Sequence, residues 1–192
     1  IATGTKKVSE KSIRTFREQY LKAIRPLSGN KPVITDKMPQ NFRYVGLLAS
    51  VFPEAKFINV KRQPQATCWG NYKQFFVSRS LGYAFDLDDI VRYYALYEDL
   101  MDFWNGHFPG KIYDLNYDKL TVHQEDCTRA LITRLGLPWE DTCLEPENNN
   151  RNVMTASKAQ VREKVYQGSS QKWKNYEPFL DGVFDHFRVK LG

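Results

Sequence analysis

Three cysteines, Cys68, Cys127 and Cys143, are all that the 192 residues contain, and no two stand in a C-x-x-C pair. That excludes a disulfide framework and offers no zinc-ligand pattern. No Asn-x-Ser/Thr sequon occurs either, so a reducing, cytoplasmic setting is expected. No apolar run approaches the roughly 18 residues of a membrane span, and the opening "IATGTKKVSEKS" lacks the apolar segment of a signal peptide. Internal repeats and low-complexity tracts are missing too. The sequence opens on Ile1 rather than Met, which suggests a piece of something longer.

What is present is enough apolar material, 42% hydrophobic and 14% aromatic, for one domain over 1–192 with a substantial core. Twenty-eight Lys and Arg against 22 Asp and Glu give a net charge of +6, compatible with an anionic ligand, nucleic acid or an acidic protein surface. The cations are dispersed rather than striped along one helix, which ranks nucleic acid last.

Ile13, Phe16, Tyr20 and Ile24 recur at helical spacing and predict an amphipathic helix that "RPLSGNKP" ends. "VITDKMP" reads as a brief strand closed by Pro39. Phe42, Val45, Leu48 and Phe52 then predict a helix stopped by Pro53, and Phe57 to Val60 a second strand. Strand, helix, strand at this spacing is a βαβ pattern, so the class is α/β with a parallel sheet flanked by helices. Ligands in such sheets sit beyond the carboxyl ends of the strands, where "TDKMP" and "KRQP" are both expected. Ile90, Tyr94, Tyr97, Met101 and Trp104 mark a long helix after the acidic "DLDD", its aromatic stripe belonging to the core. "GKIYDLNYDKL" reads as a further strand running into a turn, and Cys127, Leu131 and Leu135 as a helix stopped at Gly136 and Pro138. The stretch from Lys172 to Leu191 is expected to be helical.

Three stretches carry candidate chemistry. Arg62 ends the second strand and offers a planar fork of donors to a phosphate or carboxylate, beside a helix start at Pro64. The plain alternative is a pairing of Arg62 with a carboxylate on a neighbouring loop. Asp36 and Lys37 offer a proton acceptor and a cation for a charged leaving oxygen, or else an ordinary salt bridge at a strand end. "TASKAQVREKVYQGSSQKWKNYEPFL" gathers Ser157, Arg162, Lys164, Ser169, Ser170, Lys172 and Lys174 around Tyr166 and Trp173. Such a mixture suits a nucleotide; the alternative is a basic surface helix with Trp173 in the core, and Lys172 and Lys174 taken singly follow that alternative.

Taken in order, "ITDKMPQNFRYVGLL", "FPEAKFINVKRQPQATCWGNYKQFF", "YDLNYDKL", "LGLPWEDTCL" and "VMTASKAQVREKVYQGSSQKWKNYEPFL" resemble sulfotransferases that use 3'-phosphoadenosine 5'-phosphosulfate (PAPS), especially the bacterial branch akin to tyrosylprotein sulfotransferases. The likeness runs from about residue 31 to 180 and implies the family's P-loop-like α/β fold. It implies that Arg62 binds the cofactor's 3'-phosphate, where the family adds a serine eight positions on; here that position is Gly70. Acids usual in the family are replaced by Gln63 and Ala66. Tyr117 falls on the tyrosine near the adenine, with Asp118 for the usual glutamate, and Ser157 and Arg162 fall on the segment that closes over the nucleotide, with Lys164 where a proline is typical. The segment holding the family's catalytic base aligns with Asp36 and Lys37. A lysine with an ordinary pKa of about 10.4 is already protonated, so Asp36 is assigned as base and Lys37 as the charge stabiliser.

The resemblance therefore implies in-line sulfuryl transfer from PAPS, leaving 3'-phosphoadenosine 5'-phosphate (PAP), to a hydroxyl or amine. Positioning and charge neutralisation would be the protein's main contribution, and no metal is required. The acceptor is not legible, although polar stretches at 78–83 and 148–152 are placed to line its site. The family also opens with a strand and a P-R-S-G-T-like loop for the 5'-phosphosulfate. "IATGTKK" has no apolar strand before Gly4-Thr5-Lys6, so the chain reads as the C-terminal two-thirds of a longer catalytic domain. The competing reading is a non-catalytic nucleotide-binding or scaffold remnant of the same fold.

Overall fold

The computed structural model describes residues 8–29, 31–76, 78–149, 164–185 and 187. They fall into two compact units, one made of the chain up to Lys56 plus Leu100–Pro109, the other of Phe57–Asp99 and the chain from Gly110 onward.

In the first unit, Ser9 starts α1 (Glu10–Ile24) by accepting the Ser12 N–H on its hydroxyl, at 3.2 Å, with Glu10 in the positive first turn. The predicted stripe is there, but it is only partly covered; Phe16 keeps 40% of its surface exposed. Tyr20 packs its ring on Phe52 at 5.1 Å between centroids. Arg17 donates to the Val51 carbonyl at 2.9 Å, satisfying an end group of α2 (Val45–Val51), and forks onto Glu54 at 2.6 and 3.1 Å. A 3₁₀ segment, Pro39–Tyr44, leads into α2. Gly46 is required there, because a Cβ would stand 2.7 Å from the Trp104 ring, whose Nε1 donates to the Phe42 carbonyl at 2.9 Å.

The strand expected at "VITDKMP" does not form. Residues 33–38 pair with no strand among the described residues, and Val33 and Ile34 are exposed. A strand is stabilised by a ladder and a covered face, and this run has neither. The expectation that "TDKMP" and "KRQP" leave adjacent strands falls with it.

The α/β class stands on a different pair. In the second unit β1 (Phe57–Lys61) pairs in parallel with β2 (Ile112–Asn116), from Phe57↔Ile112 to Lys61↔Asn116, the sheet of the described residues. A parallel pair needs a long crossover, here through α3 (Pro64–Lys73) and α4 (Leu87–His107). Asp86 accepts the Asp89 N–H at 3.0 Å and Asp88 and Asp89 sit in the first turn of α4, so the acidic run starts the helix as capping predicts. Ile90, Val91 and Tyr94 of α4 pack with Ala66, Cys68 and Trp69 of α3 and with Trp173, Leu180, Phe184 and Phe187 into one buried cluster. After β2 come α5 (Tyr117–Val122) and α6 (Gln124–Leu135), which ends at Gly136 with φ +72°, the left-handed conformation glycine adopts without penalty.

The terminal segment refines a second expectation. It is helical, but as a 3₁₀ run, Ser169–Phe179, that starts earlier than Lys172, is entered through Gly168 at φ +81° and holds Pro178; turns follow at 181–185, and 186 and 188–191 lie outside the described residues. Proline removes the N–H that an α-helix interior needs. Trp173 lies in the core at 4% exposure while Lys172 and Lys174 face outward, as the alternative reading of that stretch holds.

Candidate functional site

The parallel register decides what meets what. Because Lys61 stands opposite Asn116, the residues that follow each strand, Arg62–Gln63 and Tyr117–Asp118, emerge together at the carboxyl end of the pair. Asn116 accepts the Lys119 N–H at 2.9 Å and starts α5, which fixes Tyr117 and Asp118 in its first turn. Pro64 starts α3 at the position where a missing N–H costs nothing.

A third segment completes the cluster from more than a hundred residues away. Arg62 Nε donates to Ser170 Oγ at 2.7 Å and its Nη2 to Ser169 Oγ at 3.0 Å. Its guanidinium carbon lies 5.7 Å from the centre of the Tyr117 ring, within cation–π range. Ser170 donates its own proton to Asp118 Oδ1, and Asp118 Oδ2 accepts the Gln63 N–H at 2.8 Å. The Asp118 carboxylate therefore sits against the start of α3, where the positive helix end favours it. No carboxylate among the described residues is within ion-pair distance of Arg62. The first turn of α5 does supply an acid, Asp118, but the Ser170 hydroxyl stands between the two charges.

Around this network the polar bookkeeping is incomplete. The Gln65 side-chain oxygen Oε1 and the Trp69 indole N–H, one turn apart on α3, are buried without a hydrogen bond among the described residues. Each such group costs about 1–3 kcal/mol when orphaned. Gly70, further along α3, faces open space, with nothing within 4 Å of where a Cβ would be. Lys61 pairs with Asp114 at 3.6 Å, both half-exposed, a contact worth little.

Asp36 and Lys37 lie in the first unit, both exposed. They do not form the salt bridge considered for them; Asp36 Oδ2 instead accepts a short hydrogen bond from the Tyr20 hydroxyl. Partial burial, and then that bond and the carboxylate's charge, push the Tyr20 phenol up to about 12. Tyr20 reads in the sequence only as part of a helix stripe, and nothing in its spacing signals a carboxylate partner. Ser169 and Ser170 read as two hydroxyls among many; nothing in their order ties them to Arg62. Of the other expected positions, Ser157, Arg162 and residues 150–152 lie outside the described residues. Lys164 is exposed, and Tyr166 has the Lys172 ammonium 5.2 Å from its ring. The stretch at 78–83 belongs mostly to a 3₁₀ segment, Arg79–Phe85, in which Tyr83 stacks on Tyr93 at 4.0 Å.

A half-buried arginine fork held by two hydroxyls, with a ring beside it, suits a phosphate or sulfate group. Comparison with known proteins agrees with that chemistry. A family description, "Sulfotransferase family", matches residues 3–141. An uncharacterized protein of Aquifex aeolicus (strain VF5) is 39% identical over 178 residues, covering 92% of this chain and 23% of that protein. "Protein-tyrosine sulfotransferase 1" of Danio rerio is 28% identical over 125 residues, covering 59% of this chain and 32% of that protein. The chain thus spans between 23% and 32% of the length of these relatives.

Proposed function

Since the chain belongs to the sulfotransferase family, we propose that it moves a sulfuryl group from PAPS to a hydroxyl or amine acceptor, with the donor's 3'-phosphate seated at Arg62. The observation that carries this reading is the Arg62 fork on Ser169 and Ser170 at the carboxyl end of the parallel pair, the edge where α/β sheets receive ligands. The residues fit such a group. Among the described residues Arg62 Nη1 makes no hydrogen bond, leaving a charged donor for a phosphate oxygen, and Tyr117 brings an aromatic face to the same corner. Ser157 and Arg162, outside the described residues, are further cofactor-binding residues by the family likeness.

When bound, PAPS supplies an activated sulfuryl group; the chain's own side chains bind, orient and manage a proton. Asp36 accepts the acceptor's proton, with Tyr20 fixing one carboxylate oxygen so that the other lone pairs stay available. Lys37, one residue on, presents an ammonium to the charge that develops on the leaving oxygen. The absence of a hydroxyl at Gly70 makes the phosphate contact depend on donors from elsewhere in the chain.

Transfer of radiolabelled sulfate from PAPS to a panel of phenols, amino sugars and tyrosine peptides tests the reading. The intact protein should label at least one class, and Asp36→Asn should lose at least about 100-fold in rate, the lower range for a general base. Binding of PAP without any transfer would instead identify a non-catalytic nucleotide-binding module.

A further inference from the structure

Ser169 and Ser170 are neighbours, both bonded to Arg62, yet their protons have different fates. Ser170 Oγ accepts from Arg62 Nε and gives its proton to Asp118; it is buried, at 7% exposure, and its hydrogen bonds are spoken for on both sides. Ser169 Oγ accepts from Arg62 Nη2 at 3.0 Å, and among the described residues its own proton has no acceptor. Ser169 is also the less buried of the two. A hydroxyl that accepts from a guanidinium is polarised toward donating, and the same guanidinium keeps Nη1 without a hydrogen bond among the described residues.

From this geometry, and resting on the nucleotide reading above, we propose that Ser169 is a phosphate-binding residue. It donates its hydroxyl proton to the same 3'-phosphate that Arg62 holds, a donor supplied by the 3₁₀ segment in place of one on α3, where Gly70 has none. Ser170 is a positioning residue. Through Asp118, which also holds the Gln63 N–H, it locks the Nε side of the fork and leaves the Nη side turned to the ligand. The contribution of Ser169 is therefore confined to the 3'-phosphate and does not extend to a nucleotide carrying only a 5'-phosphate.

Calorimetric titration of the whole chain with adenosine 3'-phosphate, adenosine 5'-phosphate and PAP tests this. Ser169→Ala and Ser169→Cys should both weaken adenosine 3'-phosphate and PAP by about tenfold, the loss of one charge-assisted hydrogen bond. Adenosine 5'-phosphate binding should stay unchanged in both variants, while the thermal midpoint falls only slightly, by the loss of the bond with Arg62. A purely structural serine would weaken both mononucleotides together. If the unsubstituted chain binds adenosine 3'-phosphate and the two variants bind it equally well, the role of Ser169 is overturned while the nucleotide site stands. If the unsubstituted chain binds neither adenosine 3'-phosphate nor PAP, the nucleotide site itself is overturned and the role of Ser169 goes with it.

Discussion

Arg62 and Asp36 are held in opposite ways. Arg62 follows a paired strand, is gripped by two hydroxyls from the 3₁₀ segment, and reaches Asp118 of a third segment through one of them. The 3₁₀ segment that grips Arg62 is anchored by Trp173 in a buried cluster with Cys68, Phe184 and Phe187, all at 4% exposure or less. Asp36 lies on a stretch with no ladder, exposed, and among the described residues its side-chain hydrogen bond comes from Tyr20. Binding a dianionic phosphate needs donors fixed in advance, since every ordered side chain costs entropy when it must be organised at the moment of binding. A proton acceptor needs access to the incoming group more than enclosure. The contrast in support matches the contrast in assigned task.

The largest break in this comparison is expected from Trp173→Ala. It removes a buried ring that packs edge-on against Phe184 at 5.5 Å and should cost about 3–5 kcal/mol in denaturant unfolding. Ser169 and Ser170 belong to the same 3₁₀ segment, so PAP binding should fail along with stability. Arg62→Ala comes next. It removes the charged fork and should weaken PAP by about 100-fold or more, each charge-assisted hydrogen bond being worth about 1.5–3 kcal/mol, as calorimetry will show.

Tyr20→Phe sharpens the comparison from the other side. Thermal stability should fall by only about 1 kcal/mol, the value of one hydrogen bond, and PAP affinity should not change. Its signature is at alkaline pH. Burial pushes the phenols of Tyr20, Tyr83 and Tyr94 up, Tyr20 to about 12 from an ordinary 10.0. These groups hold their protons more tightly in the folded state, so the stability they contribute is complete below about pH 10 and is lost as pH rises toward 12. Unfolding midpoints measured from pH 9 to 12 should fall for the unsubstituted chain, and less steeply for Tyr20→Phe.

The smallest effect belongs to Gly70→Ser. The position is open, and serine is the better helix former by up to about 0.5 kcal/mol, so the thermal midpoint should rise slightly. A clear gain in PAP affinity as well would place the phosphate within reach of α3.

Much of this was legible from local pattern. The stripe Ile90–Tyr94–Met101 marked α4, Gly136 the end of α6, and the cations after Val60 the place where β1 gives way to a helix. A strand at 33–38 was misread because a short apolar run carries no sign of whether a neighbour will pair with it. The terminal stretch is helical as expected up to Phe179 but as a 3₁₀ run, since Gly168 starts it early and Pro178 denies it an α-helical interior; residues 186 and 188–191 lie outside the described residues. The partners of Arg62 lie 107 and 108 residues away, and those of Asp36 depend on how a helix face meets an irregular stretch. Such contacts arise from tertiary packing and leave no periodicity to read. The family likeness pointed to Arg62 and to the gap at Gly70, and only the fold brought two serines to the arginine.

The most direct test of the account is calorimetric titration of the chain and of Arg62→Ala with PAP. A single saturable site is expected in the unsubstituted chain, weakened by about two orders of magnitude in Arg62→Ala, the upper range for loss of a charged donor. Equal affinity in the two proteins, or no binding to either, would contradict it.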